Sequence, residues 1–362
     1  MERSPFARPS PPRYPARVNT PTRMAAGLVV ATVALLALEA GARLARGARP
    51  DLARVEPLDP GGQLYAELEF HRELLWRLVP GDRMQEGVRV RVNADRMRGP
   101  ATPTGRRVLF VGDSSVFGWG VPEAQAFAWS AVARAQARVP GDVVTVNAAT
   151  PGYSSSQARL LLDRLIPSLQ PEVVVVATLW SDMMRAPWTD RELFARFGSP
   201  EQAEALGRHD WRVQSALYAI LRATLLSRRP VPAERRVLWG SILDGEPRGR
   251  ERRVSPADHR AHITHIHATA QAHGARVIDL VLPTHRGADL RPPDEEIARY
   301  RANLVEVAEG SGAAWVDAND ALASVPASDL DPYFIDPVHP SAKGHAAIAQ
   351  ALAPALVEAL AR

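Results

Sequence analysis

The stretch RVLFVGDSS, residues 107–115, joins a β-branched apolar run to a turn of small polar residues. An unbroken apolar run of this length is typical of a parallel strand that is buried on both faces. Similar runs lie at 143–147, 173–179, 276–282 and 313–317. Amphipathic stretches alternate with them at 123–138, 155–168, 256–273 and 294–309, and a last one starts at Ser341, which we expect Pro354 to break or kink. This alternation predicts an α/β three-layer sandwich around a five-stranded parallel sheet in flavodoxin-like order.

The composition limits both the fold and the chemistry. The chain has 362 residues, 46% of them hydrophobic and 23% charged, so it can bury one full-sized core. It contains no Cys, which excludes disulfide scaffolds, thiolate zinc sites and a cysteine nucleophile. The net charge is only +4, and the Arg-rich segment 222–253 also carries acidic residues. We therefore expect that segment to be a solvated loop, and we expect no nucleic-acid partner.

The N-terminal segment predicts membrane association. Residues 1–23 hold five Arg and six Pro and form a basic leader that we expect to be disordered, whereas residues 24–38 carry no charge. The apolar stretch extends over 24–42 if Glu39 snorkels toward the interface. A signal anchor, a cleaved signal peptide and a buried helix all fit this pattern, and the long charged leader favours the anchor. An anchor would make 24–42 a transmembrane helix and place the rest of the chain in the periplasm or on the cell surface.

The remaining chain divides into an extension and one domain. In the linker and N-terminal extension at 43–104, the alternation of valine with arginine over 88–92 predicts an edge strand or hairpin arm. The α/β domain spans 105–362 and contains an insertion at about 183–255, in which capping boxes and an apolar face predict helices. The insertion lies at the ligand edge of the sheet, so it is either a cap over the site or a structural flap.

Small polar residues follow the first three predicted strands, at the sheet edge where ligands bind in this architecture. Gly112–Ser115 ends the first strand and places the Ser114 hydroxyl and amide at a strand-to-helix turn, where unsatisfied donors favour an anion. Gly152 follows the second strand and can bring an unobstructed amide to the same edge. Ser181 and Asp182 follow the third strand, and we expect Asp182 to be structural.

Asp336 and His339 lie just before the last predicted helix, in the segment DPVHPSAKGH at 336–345. Their spacing fits one turn, so the carboxylate can hold the imidazole tautomer while the other ring nitrogen faces a nucleophile. In isolation, Ser114 could cap the following helix and Asp336 could turn the loop around Pro337. The joint placement of all these blocks at predicted strand ends favours a serine-hydrolase site.

These blocks, in this order, resemble the SGNH or GDSL hydrolase superfamily of serine esterases, lipases and carbohydrate acetyl esterases. The resemblance covers about 105–350 and is carried by the GDS turn and by 336–345. It implies that Ser114 is the nucleophile, His339 the general base and Asp336 its orienting carboxylate. It also implies an oxyanion hole made of the amides of Ser114 and Gly152 and a third donor, an Asn in the family, whose place Ser181 takes here with a single hydroxyl proton.

We expect no cofactor and no metal. Five His lie within 256–273, but no two of them have the i, i+4 spacing of a helical metal site, so we expect a surface or pH-sensitive helix. The expected function is cleavage of a carboxylic ester through an acyl-enzyme on Ser114, the ester being an O-acyl (O-acetyl) group on a cell-envelope glycan or a lipid ester. The alternatives are an O-acyltransferase that uses the same triad and a non-catalytic glycan-binding module on a decayed hydrolase fold, which the Ser181 departure motivates.

Overall fold

A computed structural model gives the arrangement of most of the chain. It describes residues 20–48, 68–71, 73–85, 87–102, 104–184, 189–191, 194, 217, 221, 252–285 and 294–361. The basic leader up to residue 19, and almost all of the helices predicted within the insertion at 183–255, lie outside the described residues.

Helix α1 (Thr20–Ala48) contains the predicted apolar segment. Its stretch Met24–Leu44 is 21 residues long with a mean hydropathy of 2.0, and none of its most apolar 18 residues is buried against the rest of the protein. Arg43 Nε donates to Glu39 Oε1 at 2.8 Å, so the single acidic residue of the stretch is paired near its end. The helix is thus long and apolar enough to cross a membrane, as the sequence predicts.

Two antiparallel hairpins precede the main sheet. They pair β1 (Leu68–His71) with β2 (Leu75–Leu78) and β3 (Gly81–Gln85) with β4 (Val88–Val92). In β4 the buried side chains of Val90 and Val92 alternate with exposed arginines, which confirms the predicted hairpin arm. Arg98 then bridges β4 to the main sheet, its amide donating to Asn147 O at 2.9 Å. The second hairpin therefore extends the edge of the main sheet.

The main sheet has five parallel strands. They are β5 (Arg106–Gly112), β6 (Val143–Asn147), β7 (Val173–Ala177), β8 (Arg276–Val281) and β9 (Ala314–Asp317). Their order is β6-β5-β7-β8-β9, which confirms the predicted flavodoxin-like arrangement. The chain leaves β5 toward one side and returns on the other, so the switch point, where ligands bind in such sheets, lies at the carboxyl ends of β5 and β7.

The helices cover both faces of the sheet. They are α2 (Ser114–Phe117), α3 (Phe127–Gln136), α4 (Ser155–Leu169), α5 (Trp180–Met183), α6 (Pro256–Ala272), α7 (Asp294–Ser311) and α8 (Ala342–Ala361). Helices α3 and α8 pack on the face that carries Phe110 and Leu280, and α4, α6 and α7 pack on the face that carries Leu109 and Val281. Consecutive strand residues thus enter opposite cores, which is the physical reason for the unbroken apolar runs.

The predicted break of the last helix at Pro354 does not occur, because Pro354 lies inside α8 and does not end it. A proline within a helix removes one backbone hydrogen bond and costs about 3 kcal/mol or more. Leu352, Leu356 and Leu360 on either side of it are at most 2% exposed and pack against the α3 layer. Burying a leucine contributes about 1.5–3 kcal/mol, so the three together outweigh the loss. Helix α8 also meets the length and hydropathy criteria for a membrane span, but half of it is buried in the core.

Candidate active site

The turn after β5 positions Ser114. A Cβ atom at Gly112 would lie 2.2 Å from the carbonyl oxygen of Ala177 on β7, so only glycine fits at the end of this strand. Asp113 caps the short helix α2, and its side chain accepts from the Ser115 amide at 2.9 Å. Ser114 is therefore the first residue of α2, and its side chain lies at the carboxyl edge of the sheet with the residue 7% exposed.

His339 and Asp336 meet Ser114 at this edge. The Nε2 atom of His339 lies 2.8 Å from Ser114 Oγ, and its Nδ1 atom lies 2.6 Å from Asp336 Oδ2. The other carboxylate oxygen of Asp336 accepts from the amides of Val338 and His339, each at 2.8 Å. Burial alone would raise the pKa of Asp336, but its bonds from the imidazole and these amides outweigh burial and hold the pKa below its usual value. The side chains of Ser114, His339 and Asp336 thus form one chain of hydrogen bonds, although Ser114 and His339 are 225 positions apart in the sequence.

Trp119 covers the imidazole of His339 and was not anticipated from the sequence. The two rings stack with centroids 5.7 Å apart and an interplanar angle of 25°. The segment that carries His339 is closed by a bond of 2.8 Å from the Ile335 amide to the His339 carbonyl. Trp119 comes five residues after Ser114 in the sequence, so its place beside the GDS turn is the signal that could have marked it.

The loop after β6 presents the amide of Gly152. Its backbone has a positive φ of 75°, in the region that favours glycine. Trp76 Nε1 donates to the carbonyl of Pro151 at 3.0 Å, and Arg253 Nη1 donates to the carbonyl of Gly152 at 2.7 Å. The amides of Gly152 and Ser114 donate to no group in the part of the chain that the structure describes. Both amides are thus available to a ligand, while the loop itself is held by its carbonyls.

Ser181 and Asp182 make different contacts at the start of α5. The Ser181 hydroxyl donates to Asp113 Oδ2 at 3.5 Å, a long bond that leaves the hydroxyl free to rotate toward another acceptor. The Asp182 carboxylate accepts from the Ser155 amide at 3.0 and 3.1 Å and also from its hydroxyl. Burial raises the pKa of Asp182 to about 7, although the bonds from Ser155 oppose the shift. Asp182 therefore joins the third block to helix α4.

Arg253 and Asp190 form a buried ion pair that the sequence did not reveal. Each side chain is 1% exposed, and Arg253 Nε lies 2.9 Å from Asp190 Oδ1. The expected solvated loop over 222–253 is therefore wrong at its C-terminal end, because this cation is enclosed by the Gly152 loop, the α4 start and Trp76. No periodic pattern marks such a residue, since its partners come from distant segments of the chain.

Helix α6 has an exposed face, as the sequence predicts for a surface helix, but it buries two of the histidines in this segment. His259 and His267 are buried because α6 packs between α4 and α7. Burial lowers the pKa of His259 to about 4, and His267 bridges Asp279 Oδ2 at 2.8 Å and Ser311 Oγ at 2.7 Å. Within the described ranges, no three acidic or histidine side chains are grouped so that they could hold a metal ion.

One known protein family matches most of the α/β domain. Residues 110–347 match the model of the GDSL-like lipase/acylhydrolase family. No curated protein matches the chain.

Three solved structures illustrate the fold similarity. The alpha/beta hydrolase LAE5 from the Lake Arreo metagenome is 17% identical over 72% of this chain and 99% of its own, with a TM-score of 0.44. TesA is 18% identical over 70% of this chain and 100% of its own, with a TM-score of 0.43. Axe2, an acetylxylan esterase from Geobacillus stearothermophilus, is 14% identical over 73% of this chain and 97% of its own, with a TM-score of 0.43.

Proposed function

Because the chain belongs to the GDSL-like lipase/acylhydrolase family and is an SGNH-type ester hydrolase, we propose that Ser114 is its nucleophile, His339 its general base and Asp336 the carboxylate that orients the base. The observation that carries this assignment is the continuous hydrogen-bond chain from Asp336 Oδ2 through both nitrogens of His339 to Ser114 Oγ. The ionised Asp336 holds the proton of His339 on Nδ1, so the Nε2 atom offers a lone pair to the Ser114 hydroxyl.

The proposed reaction has two steps. As Ser114 Oγ bonds to the ester carbonyl carbon, its proton passes to His339 Nε2, and the carbonyl oxygen becomes an oxyanion. Collapse of this intermediate breaks the ester C–O bond, and the imidazolium returns the proton to the departing alcohol. Water then attacks the acyl-enzyme with the same base, and the acid and free Ser114 are released.

The oxyanion needs donors that are already in place. We assign this role to the free amides of Ser114 and Gly152, and to the Ser181 hydroxyl as a third donor once it rotates away from Asp113. Donors that are held before the reaction stabilise developing charge without reorganisation, which is often the largest contribution to catalysis of this type. The hydrogen bonds from Trp76 and Arg253 to the carbonyls of Pro151 and Gly152 support this assignment, because they hold the loop without using the Gly152 amide.

The substrate that we propose is an O-acyl group, such as O-acetyl, on a cell-envelope glycan, or alternatively a lipid ester. Helix α1 supports this location, since Met24–Leu44 can serve as a signal anchor with the α/β domain in the periplasm or at the cell surface. The full-length chain should then sediment with membranes and resist extraction by salt. Activity of a fused C-terminal reporter that works only in the cytoplasm would contradict this placement.

The decisive experiment is turnover of p-nitrophenyl acetate by the full-length chain in detergent. Ser114→Ala should lower kcat by at least about 10⁴-fold, since the nucleophile and its base act as a unit. Ser115→Ala is the matched control, because the Ser115 hydroxyl is buried without a hydrogen-bond partner in the described part of the chain. Retention of most activity by a folded Ser114→Ala variant would overturn the assignment.

The same assay separates the two alternatives. An O-acyltransferase would transfer the acyl group to a glycan hydroxyl faster than to water, with the same dependence on Ser114. A glycan-binding module would show no turnover in the parent chain, and a glycan would bind the parent and Ser114→Ala equally.

A further inference from the structure

A cavity of about 220 Å³ lies beside the first turns of α4 and α6. Its lining includes Arg159, Arg191, Arg253, Asp258 and His262. None of the residues assigned to ester hydrolysis lines it. Sites for drug-sized molecules are usually about 300–1,000 Å³, so this cavity suits a small ligand.

Among the described residues that line the cavity, one cation lacks an anionic partner. Arg191 is paired with Asp258, and Arg253 is paired with Asp190 at 2.9 Å. Arg159 forms no hydrogen bond or ion pair with any residue that the structure describes, and its Nε atom is buried without a partner. Arg159 is half-buried, and its buried Nε–H donor without an acceptor is unfavourable. An oxyanion would supply the missing acceptor and offset the charge.

His262 faces the same space and has one unused nitrogen. Its Nδ1 atom lies 3.0 Å from Ser155 Oγ, and that hydroxyl donates its only proton to Asp182. When Asp182 is ionised, the imidazole therefore donates from Nδ1, and Nε2 contacts no polar group in the described ranges. Burial, together with the charge of Arg159, lowers the pKa of His262 to about 4, so the ring is neutral near pH 7. A bound anion would offset the charge of Arg159 and favour protonation of His262 at Nε2. The protonated Nε2 would then be a second donor to the anion, beside Arg159.

We propose that this cavity is a binding site for a small oxyanion of the phosphate or carboxylate class, held between the guanidinium of Arg159 and the imidazole of His262. The planar guanidinium can donate two parallel hydrogen bonds to either kind of oxyanion. Ser156, which also lines the cavity, supplies a hydroxyl on the same side. The site is separate from Ser114 and needs no ester turnover, so failure of the esterase assignment would leave it untouched.

The test titrates the full-length chain in detergent with inorganic phosphate and, separately, with acetate, using chloride to hold the ionic strength constant. We expect saturable binding with a Kd of about 1 mM or tighter and a rise in Tm of several degrees at saturation. Tighter binding of phosphate or of acetate identifies which oxyanion the site prefers, and either preference supports the proposal. The nuclear magnetic resonance signal of the His262 ring should shift on saturation, which locates the ligand.

Variants distinguish this site from general attraction to a basic chain. Arg159→Gln should weaken binding about tenfold or more, because a charged donor is lost. Arg134→Gln, which removes an exposed cation from α3, should bind as the parent does. If Arg159→Gln fails to fold, His262→Gln provides the same comparison. The proposal is overturned if neither anion binds saturably, or if Arg159→Gln and His262→Gln bind as tightly as the parent.

Discussion

The carboxylate of Asp182 accepts hydrogen bonds from both the amide and the hydroxyl of Ser155, and so ties the loop after β7 to the first turn of α4. These two residues are 27 positions apart; Ser155 comes three residues after Gly152, and Asp182 directly follows Ser181. These hydrogen bonds therefore connect the segment that carries Gly152 to the segment that carries Ser181. One buried carboxylate thus links the segments of two proposed oxyanion donors.

This relationship predicts a distinct pH dependence of stability. The pKa of Asp182 is raised to about 7 in the folded protein, against about 3.9 when unfolded. Between those values the folded state holds more protons than the unfolded state, so the free energy of unfolding falls as the pH rises. Asp182→Asn mimics the protonated carboxyl and lacks this contribution.

Chemical unfolding of both proteins at several pH values measures the effect. We expect the stability of the parent, relative to Asp182→Asn, to fall by a few kcal/mol between about pH 4 and pH 7. Parallel stability curves over this range would show that Asp182 does not titrate there.

Trp119 should position the base through its stack on His339. Trp119→Phe keeps an aromatic ring against the imidazole, whereas Trp119→Leu removes the stack and loosens the ring. An aromatic pair is worth about 0.5–1.5 kcal/mol, so Trp119→Leu should lower kcat about 2- to 10-fold, and Trp119→Phe should retain most of it. Steady-state kinetics together with the rate of labelling by a fluorophosphonate measure this. Equal rates for the two variants would argue against the stack.

Arg253 should affect kcat through the Gly152 loop, in addition to its effect on the stability of the protein. Arg253→Met leaves Asp190 buried without its cation and should destabilise the protein by about 3–5 kcal/mol. The double variant Arg253→Met with Asp190→Asn removes both charges and should recover part of that loss. It should nevertheless keep a lowered kcat, because the Gly152 carbonyl still lacks its donor. Thermal unfolding and kcat are compared in the same samples, and recovery of both together would indicate a purely structural role.

Ser181 should act on the transition state if it is the third oxyanion donor. Ser181→Ala should then lower kcat by about 10- to 1,000-fold, since one lost donor in a dry site reaches the upper value. The KM should change less, because the oxyanion exists only after attack. Ser181→Asn restores the family's type of donor and should retain activity where the space beside Trp180 admits it. A Ser181→Ala variant as fast as the parent would leave the oxyanion to the two amides.

Much of the fold could be predicted from local patterns. The apolar runs are confirmed as the strands of the parallel sheet, with ends that differ by one or two residues, because burial on both faces demands an unbroken apolar segment. Pro354 shows the limit of such rules. The proline costs the helix a backbone hydrogen bond, but the packing of α8 against α3 outweighs this cost. The sequence of one segment does not reveal which other segments it packs against.

The sequence by itself determined the order and spacing of the blocks, and these predicted that Ser114, Asp336 and His339 belong to one site. Only the tertiary structure decided their distances and added Trp119 on the imidazole and Arg253 behind Gly152. It also revealed the separate cavity with Arg159, which pairs with no described residue. The physical reason is that an apolar strand or a helix cap depends on neighbours along the chain. The environment of a buried charge or ring depends instead on residues that folding brings together from 63 to 225 positions away.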